Sequence, residues 1–203
     1  MEPFRTLTGV AAHLPARDIN TDMIMPTDII IRTTPEKMGG FALYPLRFRP
    51  DGSENPEFVL NQPRFRGAPI LITGENFGCG SAREFAASGL YLYGIRALIG
   101  TSFGPIFYAN CFQNGLLPII LPAALVAELA TQAGERFTID LSACRVIPPK
   151  GAAIPFEIEP LKREQLLTGL DAVGLAAREI GAIEAFQNGD RQARPWIYDL
   201  PST

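Results

Sequence analysis

Residues 75–84 read Glu-Asn-Phe-Gly-Cys-Gly-Ser-Ala-Arg-Glu, and they hold the side chains best suited to chemistry in this chain. Gly78 and Gly80 allow positive φ and let the backbone approach a ligand closely. Ser81 stands where a polar loop gives way to a helical pattern, with Glu84 at the spacing of a capping box. The free amides of a helix start, with the helix dipole, favour an anion there. Arg83 can clamp a carboxylate with two parallel hydrogen bonds. A cation in a first helical turn is unfavourable by a few tenths of a kcal/mol or so, which is easier to explain if an anion sits beside it. Taken alone, these residues leave two readings open: a plain capped helix start, or a carboxylate site. A phosphate cradle fits less well. GxxxxGKS/T is absent, and the third glycine of GxGxxG would fall at Arg83.

Other reactive side chains are sparse. Cys79 adjoins the segment, but a lone thiol is weak evidence for chemistry. With Cys111 and Cys144 it makes an odd, widely spaced set with no CxxC pair. Free thiols in a reducing, cytoplasmic setting are expected. His13 is the sole histidine and lies in an apolar run, so a structural role is expected for it. One histidine also excludes a His-rich metal site, and no metal ligands are assigned.

The rest of the composition narrows the class. The chain has 203 residues, a net charge of -3 and 47% hydrophobic residues. A sizeable core is available, while no basic run offers a nucleic-acid or membrane-surface face. No signal-peptide pattern opens the chain, and no stretch is long and apolar enough to span a bilayer.

The elements that must position residues 75–84 follow from apolar patterning. A strand, or two short ones, is expected over Phe4–Leu14, then a polar turn at 18–22. Residues 31–57 are rich in Pro and Gly yet contain Met38, Phe41, Leu43, Tyr44 and Phe48. They read as a long loop acting as a lid or specificity element, or contacting a partner. Buried strands are expected at Pro69–Thr73, Ala97–Gly100 and Leu116–Leu121. Helices are expected at Ser81–Tyr93, Phe103–Asn114 and Pro122–Gln132. An alternating strand at Phe137–Leu141 precedes a hairpin of Cys144–Ile147 and Ile154–Ile158. Pro160–Thr168 and Asp171–Phe186 are expected to be helical, the second bent near Gly174 and Gly181, before a proline-bearing tail at 191–203. The pattern is α/β: a mixed sheet with flanking helices, parallel in its middle.

Beyond its own chemistry, Glu75-Asn-Phe-Gly-Cys-Gly-Ser-Ala-Arg-Glu84 resembles ENFGCGSSREH of the isopropylmalate dehydratase small-subunit family. It is also similar to GxGSSREH of the aconitase swivelling domain. Further likenesses run along the chain in order. They are Leu7–Ala12, Asn20-Thr-Asp-Met-Ile-Met-Pro26, Phe58–Arg64, Asn114–Ile119 and Leu166-Leu-Thr-Gly-Leu-Asp171.

The resemblance implies a single swivelling β/β/α domain over 1–203, with a long loop at about 31–57 and a C-terminal helical tail at about 160–203. It implies a hydro-lyase subunit that isomerises 2-isopropylmalate and 3-isopropylmalate by dehydration and rehydration, in leucine biosynthesis. The subunit acts only with a large subunit, which carries the [4Fe–4S] cluster. Ser81 is then the base and Arg83 the carboxylate clamp. Gly80, Ala82, Thr21, Asp22 and Arg32 are expected near a small hydroxy-dicarboxylate substrate. Two departures stand out: Ala82 replaces the family's second serine, and Phe85 its histidine. They keep two alternatives open. One is a paralogue acting on another alkylmalate, such as 2-methylmalate/citraconate or dimethylmalate. The other is a non-catalytic dicarboxylate-binding module.

Overall fold

The fold comes from a computed structural model that describes residues 1–198. The strands are β1 (Thr6–Leu14), β2 (Ile70–Thr73), β3 (Ala97–Gly100), β4 (Leu117–Ile120), β5 (Arg136–Asp140), β6 (Arg145–Ile147) and β7 (Ile154–Pro155). Among the described residues they form one sheet in the order β4-β3-β2-β1-β5-β6-β7. β1 is the pivot. It pairs parallel with β2 through its C-terminal half and antiparallel with β5 through its N-terminal half. β2, β3 and β4 are parallel, and β5, β6 and β7 antiparallel. β2 and β3 are buried at every position, as parallel strands covered on both faces must be. The expected hairpin forms, with a second strand of only two residues.

The helices of the sheet-bearing unit are α1 (Thr21–Ile24), α2 (Thr27–Arg32), α3 (Tyr44–Arg47), α4 (Glu84–Tyr93), α5 (Pro105–Gln113), α6 (Ala123–Ala130) and α7 (Pro160–Thr168). Two apolar clusters sandwich the sheet. One joins Leu71 and Leu98 to Ile24 of α1 and to Ala86, Ala87 and Leu90 of α4. The other joins Ile70, Ile72 and Ile99 to Val126 and Leu129 of α6 and Leu166 of α7. α5 serves both, giving Phe107 and Cys111 to the first and Phe112 to the second. Burial pushes the Cys111 thiol well above its ordinary value.

The stretch at 31–57, expected to be a long loop, is largely packed. A 3-10 helix spans Pro35–Phe41 and buries Met38 and Gly39. Gly39 lies so close to α4 that a Cβ would overlap the Leu92 carbonyl. Arg47, 6% exposed, staples the stretch. It donates to Asn61 Oδ1 (3.3 Å) and to the carbonyls of Gly40 and Ala42 (3.1 Å each), and its guanidinium lies 4.4 Å from the Tyr93 ring centroid. Burial lowers its pKa, and these acceptors satisfy the charge. Glycine and proline density signals a loop in sequence, whereas Arg47 and α4 supply the packing.

Residues Met1–Gly169 form one compact unit and the chain from Leu170 a second. α7, expected in the tail, belongs to the first unit through buried Leu166. The second unit holds α8 (Ala172–Ala176), capped by Asp171 Oδ1 accepting from the Gly174 N–H, and α9 (Ile180–Ala193). The break expected near Gly174 and Gly181 is a 3-10 turn at Ala177–Glu179. Of the tail at 191–203, residues 199–203 lie outside the described residues.

Candidate active site

The site loop leaves β2 at Gly74 and reaches α4 at Glu84. Beside it runs the β1–α1 connection, and the two loops continue the parallel pairing of their strands. Gly78 N–H donates to the Ile19 carbonyl (2.7 Å) and Thr21 N–H to the Cys79 carbonyl (2.9 Å). Thr21 Oγ1 donates to the Ser81 carbonyl (3.2 Å). Thr21 is fully buried, so it grips the loop rather than facing a ligand. Asn20 caps α1 by accepting from the Met23 N–H (2.9 Å), which aims Asp22 outward from the first turn.

A third segment, Ser102-Phe103-Gly104, supports the loop from its other side. Asn76 N–H donates to Ser102 Oγ (2.9 Å), Phe77 N–H to the Ser102 carbonyl (3.3 Å) and Gly104 N–H to the Phe77 carbonyl (2.9 Å). Packing is tight enough that a Cβ on Gly78 would overlap the Phe107 ring, and one on Gly104 the Gly78 carbonyl. Gly78 (φ 75°) and Gly80 (φ 94°) take the left-handed conformations expected of them. The 102–104 segment escapes sequence reasoning; its only local mark is a glycine ahead of the Pro105 that opens α5.

The helix start differs from expectation. Ser81 does not cap it, and the capping box does not form. α4 begins at Glu84, with Arg83 in the N-cap position and no side-chain cap bond. Ser81 and Ala82 lie on a bend ahead of the helix, both exposed. The Ser81 carbonyl also accepts from the Arg83 N–H (2.9 Å), and its hydroxyl makes no hydrogen bond among the described residues. Tertiary grip by Thr21 wins over the local capping pattern. A small recess of about 100 Å³ lies against Gly78, Cys79, Gly80, Ser81 and Gly104.

Arg83 turns its guanidinium to the Asp22 carboxylate, forming an ion pair across the two loops. Arg83, Ser81, Gly80, Thr21 and Asp22 are therefore brought together. Arg32 is not part of this cluster. It ends α2, is exposed, and lines a different cavity of about 630 Å³ with Phe41, Tyr44 and Phe48. Phe85, 42% exposed, opens the outer face of α4. His13 sits half-buried on β1, where it lines a cavity of about 730 Å³ with Arg17, Gly74, Glu75 and Ser102, and desolvation lowers its pKa. Among the described residues no group of His, Cys, Asp and Glu could hold a metal ion. None of their helices is long and apolar enough to cross a membrane.

An exposed serine behind two left-handed glycines, beside an arginine already engaged with a carboxylate, can bind an organic acid and exchange a proton with it. The aconitase C-terminal domain family matches residues 1–124, and LeuD_N matches residues 123–160. The 3-isopropylmalate dehydratase small subunit of Paracoccus denitrificans is 44% identical, covering 97% of this chain and all of its own length. That of Rhodospirillum centenum is 46% identical, covering 97% of this chain and 98% of its own length. The crystal structure of 3-isopropylmalate dehydratase (leuD) from Methanocaldococcus jannaschii has a TM-score of 0.66 and 28% identity, covering 89% of this chain and 99% of that one. The chain belongs to the 3-isopropylmalate dehydratase small-subunit family, built on the aconitase C-terminal domain.

Proposed function

We propose that this chain is the small subunit of a heteromeric hydro-lyase that interconverts 2-isopropylmalate and 3-isopropylmalate in leucine biosynthesis. The observation that carries this is likeness to small subunits of that enzyme over 97% of the chain, together with a loop that keeps Ser81 and Arg83 and is gripped by Thr21 and Asp22. In this reading a large subunit brings the [4Fe–4S] cluster, for which the described part of this chain has no donor set. The assembled enzyme works in the cytoplasm, and unit Met1–Gly169 is the swivelling body that closes over the partner's cluster.

The chain's own residues then have simple tasks. Arg83 takes one substrate carboxylate, with Asp22 holding the guanidinium in place until it arrives. Ser81 acts as the base toward the proton on the carbon next to that carboxylate. An alkoxide is a strong base and must be stabilised by nearby donors, of which Arg83 is the first. The backbone at Gly80 and Ala82 leaves room for the acid, and Thr21 keeps Ser81 at a fixed depth. Arg32 reaches the substrate only from the neighbouring cavity, where the aromatic walls suit an alkyl group.

Anaerobic mixing with a cluster-bearing large subunit and an assay on 2-isopropylmalate tests the reading. Turnover with the partner and none without it is expected; dicarboxylate binding with no turnover sinks it. A second reading is favoured by Ala82 and Phe85. The loss of a hydroxyl from the loop and of an imidazole from the start of α4 removes two polar contacts that the family offers near its substrate, which leaves room for a different alkylmalate. Turnover of 2-methylmalate or dimethylmalate above 2-isopropylmalate, with the same partner, would establish it.

A further inference from the structure

The site loop is fastened at its root as well as at Ser81. Asp18 and Asn76 both adopt the left-handed conformation, with φ of 55° and 57°. They are bonded to one another: Asn76 Nδ2 donates to Asp18 Oδ1 at 2.7 Å. Asp18 N–H donates to the Glu75 carbonyl at 2.9 Å, and Arg17 pairs with the Glu75 carboxylate at 2.6 Å. Through its own N–H, Asn76 also reaches Ser102 Oγ. It thus joins the β1–α1 connection, by its side chain, to the 102–104 segment, by its backbone.

These links lie at the surface. Asp18 is exposed, and Arg17 and Glu75 keep 68% and 52% of their side-chain surface. Exposed polar contacts of this kind add little to stability. Left-handed backbone costs conformational energy at any residue with a Cβ, least at Asn and Asp. An exposed arrangement that costs energy, returns little, and adjoins a reactive loop points to geometry as its purpose. The left-handed turn at Asn76 helps set the course of the chain between β2 and Ser81, whereas Arg83, beyond Ser81, is held separately by Asp22.

We propose that the Asp18–Asn76 pair is a positioning device that aims the Ser81 hydroxyl. It rests on the reading of Ser81 as the base. Asn76 is the positioning residue, and Asp18 locks its conformation.

The test uses the chain assembled with its large subunit. Asn76→Gly and Asp18→Gly each delete the side-chain bond while leaving the left-handed backbone accessible, so neither forces misfolding. In both, kcat per assembled complex is expected to fall on the order of tenfold to a hundredfold, as for other small misplacements of catalytic groups. KM is expected to hold, because the arginine clamp is untouched. The double variant falls no further than either single one, since both remove the same link. Asp18→Asn keeps the acceptor oxygen and recovers most of the lost turnover. Wild-type kcat in both glycine variants overturns the proposal. So do losses that multiply in the double variant, or a fall in kcat that merely follows a smaller fraction of assembled complex. Ser81→Ala, assayed alongside, separates the two readings. If it turns over normally, both the base and its positioning device are wrong. If it is inactive while the glycine variants are not, only the positioning device is wrong.

Discussion

Arg83 and Asp22 form an ion pair that bridges the start of α4 and the first turn of α1. The pair brackets Ser81, whose carbonyl is held by Thr21, the residue next to Asp22. A charged guanidinium 22% exposed, already matched to one carboxylate, is set up to receive another. Replacing it with lysine keeps the charge and loses the planar fork. Arg83→Lys is therefore expected to lower kcat/KM about tenfold to a hundredfold, the worth of a charged hydrogen bond. The loss should appear in both KM and kcat, because Arg83 is read as both the carboxylate clamp and a donor to the Ser81 alkoxide, and steady-state kinetics on the assembled enzyme separates the two. Asp22→Asn keeps the shape but not the charge and should raise KM less.

Gly78 and Gly104 are places where the backbone has no room. A Cβ at Gly78 meets the Phe107 ring, and one at Gly104 meets the Gly78 carbonyl. Gly78→Ala and Gly104→Ala should each cost about 1–3 kcal/mol in urea unfolding. Gly80 is left-handed like Gly78, but its nearest neighbour, the Asn20 Cβ, would lie 3.5 Å from an added Cβ. Gly80→Ala should then cost only the backbone strain, about 1 kcal/mol.

Arg47 replaced by methionine fills similar volume and leaves Asn61 Oδ1 and the Gly40 and Ala42 carbonyls without their donor. At least about 2 kcal/mol of stability should be lost. Proteolysis near Gly40 should speed up relative to the wild type, because the stretch from Pro35 to Phe48 loses its staple. Unchanged protection would show that α4 alone holds it.

His13 ties stability to pH. Its folded-state pKa is lowered by desolvation, so below the unfolded value of about 6.5 the unfolded chain binds a proton that the folded chain resists. Protons are then taken up on unfolding, and stability falls as pH drops below that value. His13→Gln should flatten the decline in Tm between neutral pH and pH ~5. An unaltered slope would assign the acid sensitivity to carboxylates.

Much of this fold could be read in the sequence. The runs Ile70–Ile72 and Ala97–Gly100 are apolar throughout, as befits parallel strands covered on both faces. The left-handed glycines of the site loop were legible for the same local reason. What escaped depends on contacts distant in sequence. The spacing of Ser81 and Glu84 predicts a capping box, but Thr21 holds the Ser81 carbonyl, which also closes a turn with the Arg83 N–H, and α4 begins only at Glu84. The Pro and Gly content of 31–57 predicts a loop, yet Arg47 ties Gly40 and Ala42 within it to Asn61 beyond it. Nothing local to Ser102 announces that its hydroxyl accepts from Asn76, since the bond closes only when β2 and β3 lie side by side.

Ser81→Ala tests the central claim most directly. Ser81 is exposed and its hydroxyl holds nothing else in place, so the variant should fold and bind the large subunit like the wild type. Measured as kcat on 2-isopropylmalate per assembled complex, turnover should fall on the order of 10²–10⁴-fold, as expected for loss of a positioned base. A Ser81→Ala enzyme with near-normal kcat would contradict the account, because the proton would then have to be taken by another group.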